Sequence, residues 1–169
     1  MTITVRSAVV ADAAAIARIN VDGWRAAYRS EVADQVLADL SLSEREAGWH
    51  ERIIDGTHGR ILVAERGHEV IGYSRVLAPA RDGDAAADVA EIAAMYVHPD
   101  AWRSGAGSAL MQTALGELRS DGWRDVTLWV LDRNARAMAF YEGFGFAPDE
   151  TEKVSDRLGV VETRMRLTL

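Results

Sequence analysis

The chain has 169 residues, of which 49% are apolar and 27% charged, and this is the size and make-up of one ordinary globular domain with a sizeable core. Its net charge of −7 disfavours a nucleic acid as partner. Its lack of cysteine excludes disulfides, thiolate zinc sites and acyl-cysteine intermediates. No apolar run approaches the ~20 residues that span a membrane. We therefore expect a single domain over residues 1–169, located in the cytoplasm, with neither a membrane nor a nucleic acid as partner; a homodimer is left open.

The first third of the chain predicts a strand and two helices. Residues Ile3–Arg6 alternate between apolar and polar, as a short strand does. Apolar residues recur at helical spacing over Ala11–Tyr28, and Ser43–Glu46 has the pattern of a capping box that opens a second helix. The intervening residues 29–42 are mixed and fit a short helix with loops.

The middle of the chain predicts three strands. Residues 61–66 and 69–77 are joined by Gly67-His68, a spacing that is typical of a hairpin. The apolar run Ile92–Val97 is too short for a buried helix and is bounded by Pro99, which cannot continue a strand ladder. We therefore predict a third strand here, covered on both faces.

The rest of the chain alternates between helix and strand. A helix with one apolar face opens at Ser108 and stops at Asp121-Gly122. Residues 126–131 follow as a strand, which this βαβ arrangement makes parallel to the strand before the helix. Asn134 caps another helix, and the alternation over residues 160–169 predicts a last strand. The order of elements indicates a mixed α/β (α+β) fold.

An anion site is predicted where the third strand, its loop and the next helix meet. Gly105 and Gly107 carry no side chain, so the backbone N–H groups of residues 103–108 can approach a phosphate at the positive end of the helix dipole. A Walker A loop would need a lysine after its glycines, and a dinucleotide fingerprint would need a third glycine where Leu110 stands. A Gly-x-Gly by itself is more often only a tight turn, so other segments of the chain must show whether this loop binds a cofactor.

Two segments resemble the GCN5-related N-acetyltransferase (GNAT) family. Residues 91–110, EIAAMYVHPDAWRSGAGSAL, resemble its acetyl-CoA motif, Arg/Gln-x-x-Gly-x-Gly/Ala, except that Trp102 replaces the Arg or Gln. Residues 128–146, LWVLDRNARAMAFYEGFGF, resemble its second motif, Asn-x-x-Ala/Gly-x-x-x-Tyr-Glu-x-x-Gly-Phe. The order of elements also resembles the GNAT fold. The resemblance implies a mostly antiparallel sheet whose parallel pair splays around acetyl-CoA, with helices on both faces.

The resemblance also implies acetyl-CoA (coenzyme A) as cofactor and no metal. The end of the third strand, the loop after it and the start of the second motif's helix hold the cofactor in the family. The matching residues here are Met95, Tyr96, Val97, Arg103, Ser104, Gly105, Ala106, Gly107, Ser108, Asn134, Ala137 and Tyr141. Arg133 and Arg136 are further cations that could face the phosphates, although surface arginines are usually only solvated.

Two side chains are candidates for proton transfer. Tyr141 matches the family's general acid, and a phenol with a pKa near 10 can protonate a thiolate whose conjugate acid has a pKa near 8.5. It could equally be the polar-tipped member of a core face. Glu91 aligns with the glutamate that some members use as general base, and the alternatives for it are a strand-edge glutamate in solvent or a structural pair with an arginine. Asp88 and His98 are weaker candidates.

The acceptor is the least determined part of the prediction. In the family it lies between the early helices and the hairpin, where this chain offers Trp24, Tyr28, Tyr73, Asp22 and Glu31. Such groups suit a primary amine, and they also suit a core stripe beside a solvated face. The leading interpretation is an N-acetyltransferase that moves an acetyl group directly from acetyl-CoA to a small-molecule or peptide amine. The alternative is a non-catalytic acyl-CoA-binding or regulatory module.

Overall fold

The computed structural model describes residues 2–29, 33–56, 59–155 and 159–169. Within those ranges the strands and helices follow the predicted order. The short helix that residues 29–42 fit is present, and a strand that no sequence pattern located precedes the last one. The strands are β1 (Ile3–Ser7), β2 (Arg60–Arg66), β3 (Glu69–Leu77), β4 (Val89–Val97), β5 (Asp125–Leu131), β6 (Ala147–Val154) and β7 (Val161–Thr168). The helices are α1 (Ala13–Ala27), α2 (Asp34–Ala38), α3 (Leu42–Asp55), α4 (Ala106–Ser120) and α5 (Ala135–Glu142), with single 3-10 turns at Val10–Asp12 and Pro99–Ala101.

The seven strands form one mixed sheet in the order β1-β2-β3-β4-β5-β7-β6. Every neighbouring pair is antiparallel except β4 and β5, which are parallel, and this confirms the predicted fold class. The parallel ladder joins Val89–Ile92 to Asp125–Leu128 and then stops, although β4 runs on to Val97 and β5 to Leu131. The two strands therefore separate after Ile92.

The separation coincides with a bulge in β4. Arg75 of β3 is opposite Ala94, whereas the next residue, Val76, is opposite Ile92, so Ala93 is an extra residue on the β4 side. A bulge bends its strand and increases the local twist. The bend lies at the residue where the ladder to β5 ends, and it turns the second half of β4 away from β5.

Apolar side chains cover both faces of the sheet. On one face Leu62 and Ala64 of β2 pack into the same cluster as α4, and on the other Ile61 and Val63 pack with α1. The second half of β4 contributes alternately to the two clusters, as was predicted for Ile92–Val97. The predicted apolar face of α4 is buried, and burying each of its large residues contributes about 1.5–3 kcal/mol. That face consists of Leu110, Met111, Ala114, Leu115 and Leu118.

Three boundaries differ from the prediction. Helix α4 begins at Ala106, two residues before Ser108, and β4 begins at Val89, so Glu91 lies inside the strand and does not open it. Helix α3 is capped by Ser41, whose Oγ accepts a hydrogen bond from the backbone N–H of Glu44 at 3.3 Å. The Ser-x-x-Glu spacing occurs twice, two residues apart, and the earlier copy is the one with extended backbone at the cap.

Candidate active site

A cleft of about 350 Å³ opens where β4 and β5 separate. One wall is the second half of β4, and the other is formed by the end of β5 and the start of α5. The last turn of α1 closes one side, and side chains of β6 and β7 lie at the far end. Because β5 does not pair with β4 beyond Ile92, one backbone edge of β4 borders the cleft without a strand partner from the described part of the chain.

Six of the residues predicted to bind the cofactor line this cleft. Met95, Tyr96 and Val97 come from β4, and Asn134, Ala137 and Tyr141 come from the N-terminal cap and body of α5. The Oδ1 atom of Asn134 accepts a hydrogen bond from the backbone N–H of Ala137 at 3.1 Å, which is the capping role that the sequence predicted. The two motifs, separate in sequence, thus form opposite walls of one cleft.

The predicted anion loop, residues 103–108, does not line the cleft. It begins directly after Trp102, which does line the cleft. Arg103 and Gly105 both have positive φ, 62° and 91°, and the chain turns through them into α4. Among the described residues, the backbone N–H groups of these two make no hydrogen bond. The first N–H groups of a helix have no intrahelical partner either, so this corner presents several donors to an anion.

Trp102 occupies the motif position where an Arg or Gln is usual. Its indole N–H donates to the carbonyl oxygen of Val97 at 2.9 Å, which fixes the ring against the end of β4. The guanidinium carbon of Arg136 lies 3.6 Å from the centre of the ring, a close cation–π stack. Both side chains line the cleft.

Tyr141 is half-buried, and its ring packs edge-on against Phe140 and Phe146. Its hydroxyl has no hydrogen-bond partner among the described residues. Burial raises the pKa of this hydroxyl well above its ordinary value of 10.0, and the neighbouring Tyr96 raises it further. The phenol therefore keeps its proton at neutral pH and can act as a donor.

Glu91 is 1% exposed and tied to Arg81. Its carboxylate accepts hydrogen bonds from the backbone N–H of Arg81 (3.1 Å), from Nε (3.1 Å) and from Nη2 (2.6 Å). Burial opposes ionisation of Glu91, but these hydrogen bonds outweigh it and hold its pKa below the ordinary value. Of the two alternatives, the glutamate in solvent is wrong because the side chain is buried, and the structural pair with an arginine is present. The role as general base stays a prediction.

An aromatic group forms the side of the cleft next to α1. The indole N–H of Trp24 donates to the hydroxyl of Tyr96 at 2.9 Å, and Trp24 meets Tyr28 edge-on with the ring centres 5.3 Å apart. Burial raises the pKa of the Tyr28 and Tyr96 hydroxyls, so both are neutral at physiological pH. Trp24 and Tyr28 line the cleft, and their contact with an acceptor stays a prediction.

Tyr73 requires a correction. It was grouped with the acceptor residues, but its side chain is 0% exposed and does not line the cleft. Its hydroxyl accepts a hydrogen bond from Asn20 Nδ2 at 2.7 Å, and its ring stacks behind Tyr96 with the centres 5.6 Å apart. The alternation of β3 turns Tyr73 into the core, where it supports Tyr96 and cannot reach an acceptor.

The remaining candidates lie away from the cleft lining or outside the described residues. His98 Nε2 lies 3.3 Å from a carboxylate oxygen of Asp22, and its other ring nitrogen accepts from the backbone N–H of Asp100. Asp88 is exposed and joins β4 to β5 through its carbonyl oxygen. Glu31 falls outside the described residues, and no group of three or more metal-binding side chains occurs among the described ones.

The far end of the cleft contains residues that no motif indicated. Lys153 of β6 lies 3.7 Å from a carboxylate oxygen of Glu162 of β7, and its Nζ lies 3.8 Å from the ring centre of Trp129. The indole N–H of Trp129 in turn donates to Asp82 in the loop after β3. Each residue looks like an ordinary member of its own strand or loop, so only the sheet order, which brings β5, β6 and β7 side by side, could have revealed the group.

A buried arginine fixes the loop that carries Arg81 and Asp82. Arg164 of β7 is 5% exposed and donates to Asp84 at 2.8 and 2.9 Å and to Asp149 at 2.8 Å. The loop after β3 is thereby joined to β6 and β7. Its position holds Arg81 against Glu91 at the wall of the cleft.

Comparison with known proteins agrees with this arrangement. Residues 23–146 match the Acetyltransferase (GNAT) family. The uncharacterized N-acetyltransferase YuaI of Bacillus subtilis (strain 168) is 30% identical over 142 residues, which cover 84% of this chain and 79% of that protein. A mycothiol acetyltransferase of Amycolatopsis mediterranei (strain U-32) is 32% identical over 143 residues, or 83% of this chain but only 44% of that longer protein.

A solved structure shares the whole fold. The PaiA N-acetyltransferase from Thermoplasma acidophilum, solved in complex with coenzyme A, superposes with a TM-score of 0.78 at 17% identity and covers 100% of both chains. No described helix of the present chain is long and apolar enough to cross a membrane. On the family match and the relatives together, the chain belongs to the GNAT family of acetyltransferases.

Proposed function

We propose that this protein transfers an acetyl group from acetyl-CoA directly to the primary amine of an acceptor, with both substrates bound at once. The observation that supports this most is that the open edge of β4 and the unpartnered hydroxyl of Tyr141 line the same cleft. Binding alone requires the open edge but has no use for a neutral phenol directed at it. The absence of cysteine from the sequence leaves no thiol to carry the acetyl group in a two-step reaction.

The residues present fit acetyl-CoA, which supplies an acetyl group activated as a thioester. Residues 93–97 offer backbone N–H and C=O groups along an edge that none of the described strands occupies. The turn at Arg103 and Gly105 offers unpaired N–H groups at the N-terminus of α4. A Cβ on Gly107 would lie in van der Waals contact with the ring of Phe140 at 3.4 Å, so glycine leaves this corner more open than a larger residue would.

Within the cleft, different groups of the chain donate the proton to the leaving group and stabilise the negative charge of the transition state. Tyr141 gives its hydroxyl proton to the leaving sulfur. Burial keeps the phenol protonated but makes it a weaker acid, so this transfer requires the hydroxyl to lie close to the sulfur. A backbone N–H near Met95 or Tyr96 donates to the oxygen that gains negative charge in the transition state. Loss of such a donor typically costs about 3–4 kcal/mol.

A carboxylate in the cleft takes the proton from the attacking amine. Glu91 is the sequence-based candidate, but three hydrogen bonds from Arg81 make it a weak proton acceptor unless water relays the proton. Glu162 is the second candidate, since it accepts no hydrogen bond among the described residues and has only Lys153, at 3.7 Å, as an ionic partner. The pH dependence of turnover in Glu91→Gln and Glu162→Gln would distinguish them.

The acceptor binds at the end of the cleft between α1 and the β6–β7 pair. Trp24 and Tyr28 offer aromatic surface, and Glu162 offers negative charge, which together suit a cationic amine. Both a small molecule and a peptide N-terminus carry such a group, so the class of acceptor stays open. A cytoplasmic location and a homodimer also stay predictions.

The test is a screen of small-molecule and peptide amines that follows release of free CoA thiol from acetyl-CoA. Because the chain contains no cysteine, a thiol reagent reports the product without a protein background. We expect thiol release that depends on both acetyl-CoA and at least one amine. Tight binding of CoA with no amine-dependent release across the panel would favour the alternative, a non-catalytic acyl-CoA-binding module.

A further inference from the structure

We propose that the acceptor is a zwitterion, an amine that carries a carboxylate within a few bonds of its nitrogen, as an α-amino acid does. The ammonium group of Lys153 and a free guanidinium nitrogen of Arg81 bind the carboxylate, and Glu162 faces the amine. This assignment rests on the proposed function, because it names the class of acceptor for the same cleft. An amine without a carboxylate does not match the charges at this end of the cleft.

Lys153 is held in a fixed position by Trp129. Its Nζ lies 3.8 Å from the centre of the indole ring. The indole N–H donates to both carboxylate oxygens of Asp82, at 3.2 and 3.1 Å, and one of these oxygens lies 3.6 Å from Nη1 of the buried Arg164. Because the ring cannot turn without breaking these contacts, the cation that lies over it is positioned before any ligand binds.

The ammonium group of Lys153 makes no hydrogen bond to another described residue. Glu162, its cross-strand neighbour, lies at 3.7 Å, where the two charges attract each other but are too far apart for a hydrogen bond. Both residues line the cleft, and the side chain of Lys153 is 44% exposed. Its N–H donors therefore remain available to a ligand.

Arg81 is a second cation at this end of the cleft, and the fold uses only part of it. Its Nε and Nη2 donate to the buried Glu91, whereas Nη1 has no partner in the described structure. Burial opposes the ionisation of Glu91, but the hydrogen bonds from Arg81 lower its pKa, and the charge of Lys153 lowers it further. Lys153 and Arg81 thus act on the same carboxylate from one end of the cleft, and each keeps a free N–H donor.

These charges favour a ligand that carries both signs. The carboxylate oxygens of Glu91 are already occupied by Arg81, so Glu162 is the carboxylate that can face an amine. A cationic amine without a carboxylate would approach Glu162 against the repulsion of Lys153, which lies 3.7 Å away from it. A zwitterion pairs its ammonium group with Glu162 and its carboxylate with the two cations, so that each charge has a partner of opposite sign.

The experiment compares each α-amino acid with the amine that remains when its carboxylate is removed, and it follows release of free CoA thiol. The two members of a pair differ in basicity, so they are compared at equal concentrations of the neutral amine. For the best acceptor we expect kcat/KM to be about tenfold higher for the amino acid, which is the contribution of a charged hydrogen bond reduced by partial exposure.

Lys153→Met removes the charge and keeps an unbranched side chain on Trp129. We expect kcat/KM for the amino acid to fall about tenfold, whereas that for the decarboxylated amine should stay the same or rise, because a repelling cation is gone. Lys153→Arg keeps the charge and should keep the preference for the amino acid. Arg124→Met, which replaces an exposed arginine that does not line the cleft, is the matched control and should change neither value.

Two results would overturn the inference and leave the proposed function intact. One is a decarboxylated amine that is acetylated as fast as its amino acid, or a Lys153→Met variant in which both values fall together, as a structural role would require. The other is turnover of other amines in the screen with none of the amino acids. A chain that acetylates no amine at all would overturn the proposed function, and the inference with it.

Discussion

The two ends of the cleft are built in different ways. The proposed cofactor end consists of residues 93–97 of β4 and the start of α5, with the loop at 103–108 beside it, and it relies on backbone groups, glycines and a helix terminus. The proposed acceptor end consists of Trp24, Tyr28, Arg81, Trp129, Lys153 and Glu162, and it relies on side-chain pairs from five separate segments. The first end suits a ligand that is the same for every acceptor, whereas the side chains of the second end can differ according to the acceptor that is bound.

The difference shows which changes each end should tolerate. A backbone site is sensitive to any side chain that fills its space and insensitive to most exchanges elsewhere in the loop. A side-chain site is sensitive to charge and can be altered one residue at a time. The following variants probe this contrast, beginning with the largest effect.

At the cofactor end, Gly107→Glu should weaken CoA binding by about 100-fold or more, because like charges placed against each other cost several kcal/mol. Its Cβ would lie 3.4 Å from Phe140, and its carboxylate would stand at the N-terminus of α4, where a phosphate is expected. An acidic residue in the first turn favours the helix itself, so folding should persist. Calorimetry with CoA checks this prediction.

Gly116→Glu is the matched control for that change. Gly116 lies in the same helix, is exposed, and has no heavy atom within 4 Å of a built Cβ. CoA binding should match the wild type in this variant. Equal loss of binding in both variants would show that added charge on α4, and not its place at the loop, is responsible.

Between the two ends, Arg81→Gln should destabilise the fold by about 1–3 kcal/mol at pH 7, because the buried carboxylate of Glu91 loses charged hydrogen-bond donors. The pKa of Glu91 is lowered in the fold, so its contribution to stability is present above the ordinary value of 4.5 and is lost as the pH falls through the lower value. The difference in the free energy of unfolding between wild type and variant should become smaller below pH 4.5. Urea unfolding across this pH range measures it, and a difference that grows in acid would contradict the assignment.

At the acceptor end, Glu162→Gln should raise the KM for a cationic amine about two- to fivefold, the modest value expected for a partly exposed ionic contact. The Kd for CoA should not change, because Glu162 is not among the residues proposed to hold CoA. Glu152→Gln, an exposed residue of the adjacent strand β6, is the control and should behave as the wild type. A change in CoA affinity with an unchanged KM would remove Glu162 from the acceptor site.

The same contrast explains what the sequence could predict. The cofactor end follows from local patterns, since Gly105, Gly107, Asn134 and Tyr141 stand at fixed spacings in two contiguous motifs and the apolar periods of β4 and α4 give their elements. The bulge at Ala93 was not predictable, because nothing in the run of apolar residues marks which one is extra. Strand boundaries shifted for a similar reason, since pairing with β5 extends β4 back to Val89.

The acceptor end depends on contacts that sequence spacing does not contain. Lys153, Glu162 and Trp129 meet only because β7 lies between β5 and β6 in the sheet. Tyr73 was misassigned because an aromatic residue in a strand can point to either face, and the register of β3 directs this one into the core. The ion pair of Glu91 depends on a loop that Arg164 holds from 80 residues away.

The most direct test of the central claim is the Tyr141→Phe variant, measured for turnover and for CoA affinity together. The change removes one hydroxyl that has no partner in the described structure and keeps the ring in its aromatic contacts. Tyr73→Phe, which removes a buried hydroxyl bonded to Asn20, is the control; it should lower stability while leaving turnover of the folded enzyme unchanged. For Tyr141→Phe we predict that kcat falls by about 10²–10⁴-fold while the Kd for CoA stays within about twofold of wild type. Unchanged turnover, or a loss of activity that only follows a loss of folding, would contradict the account.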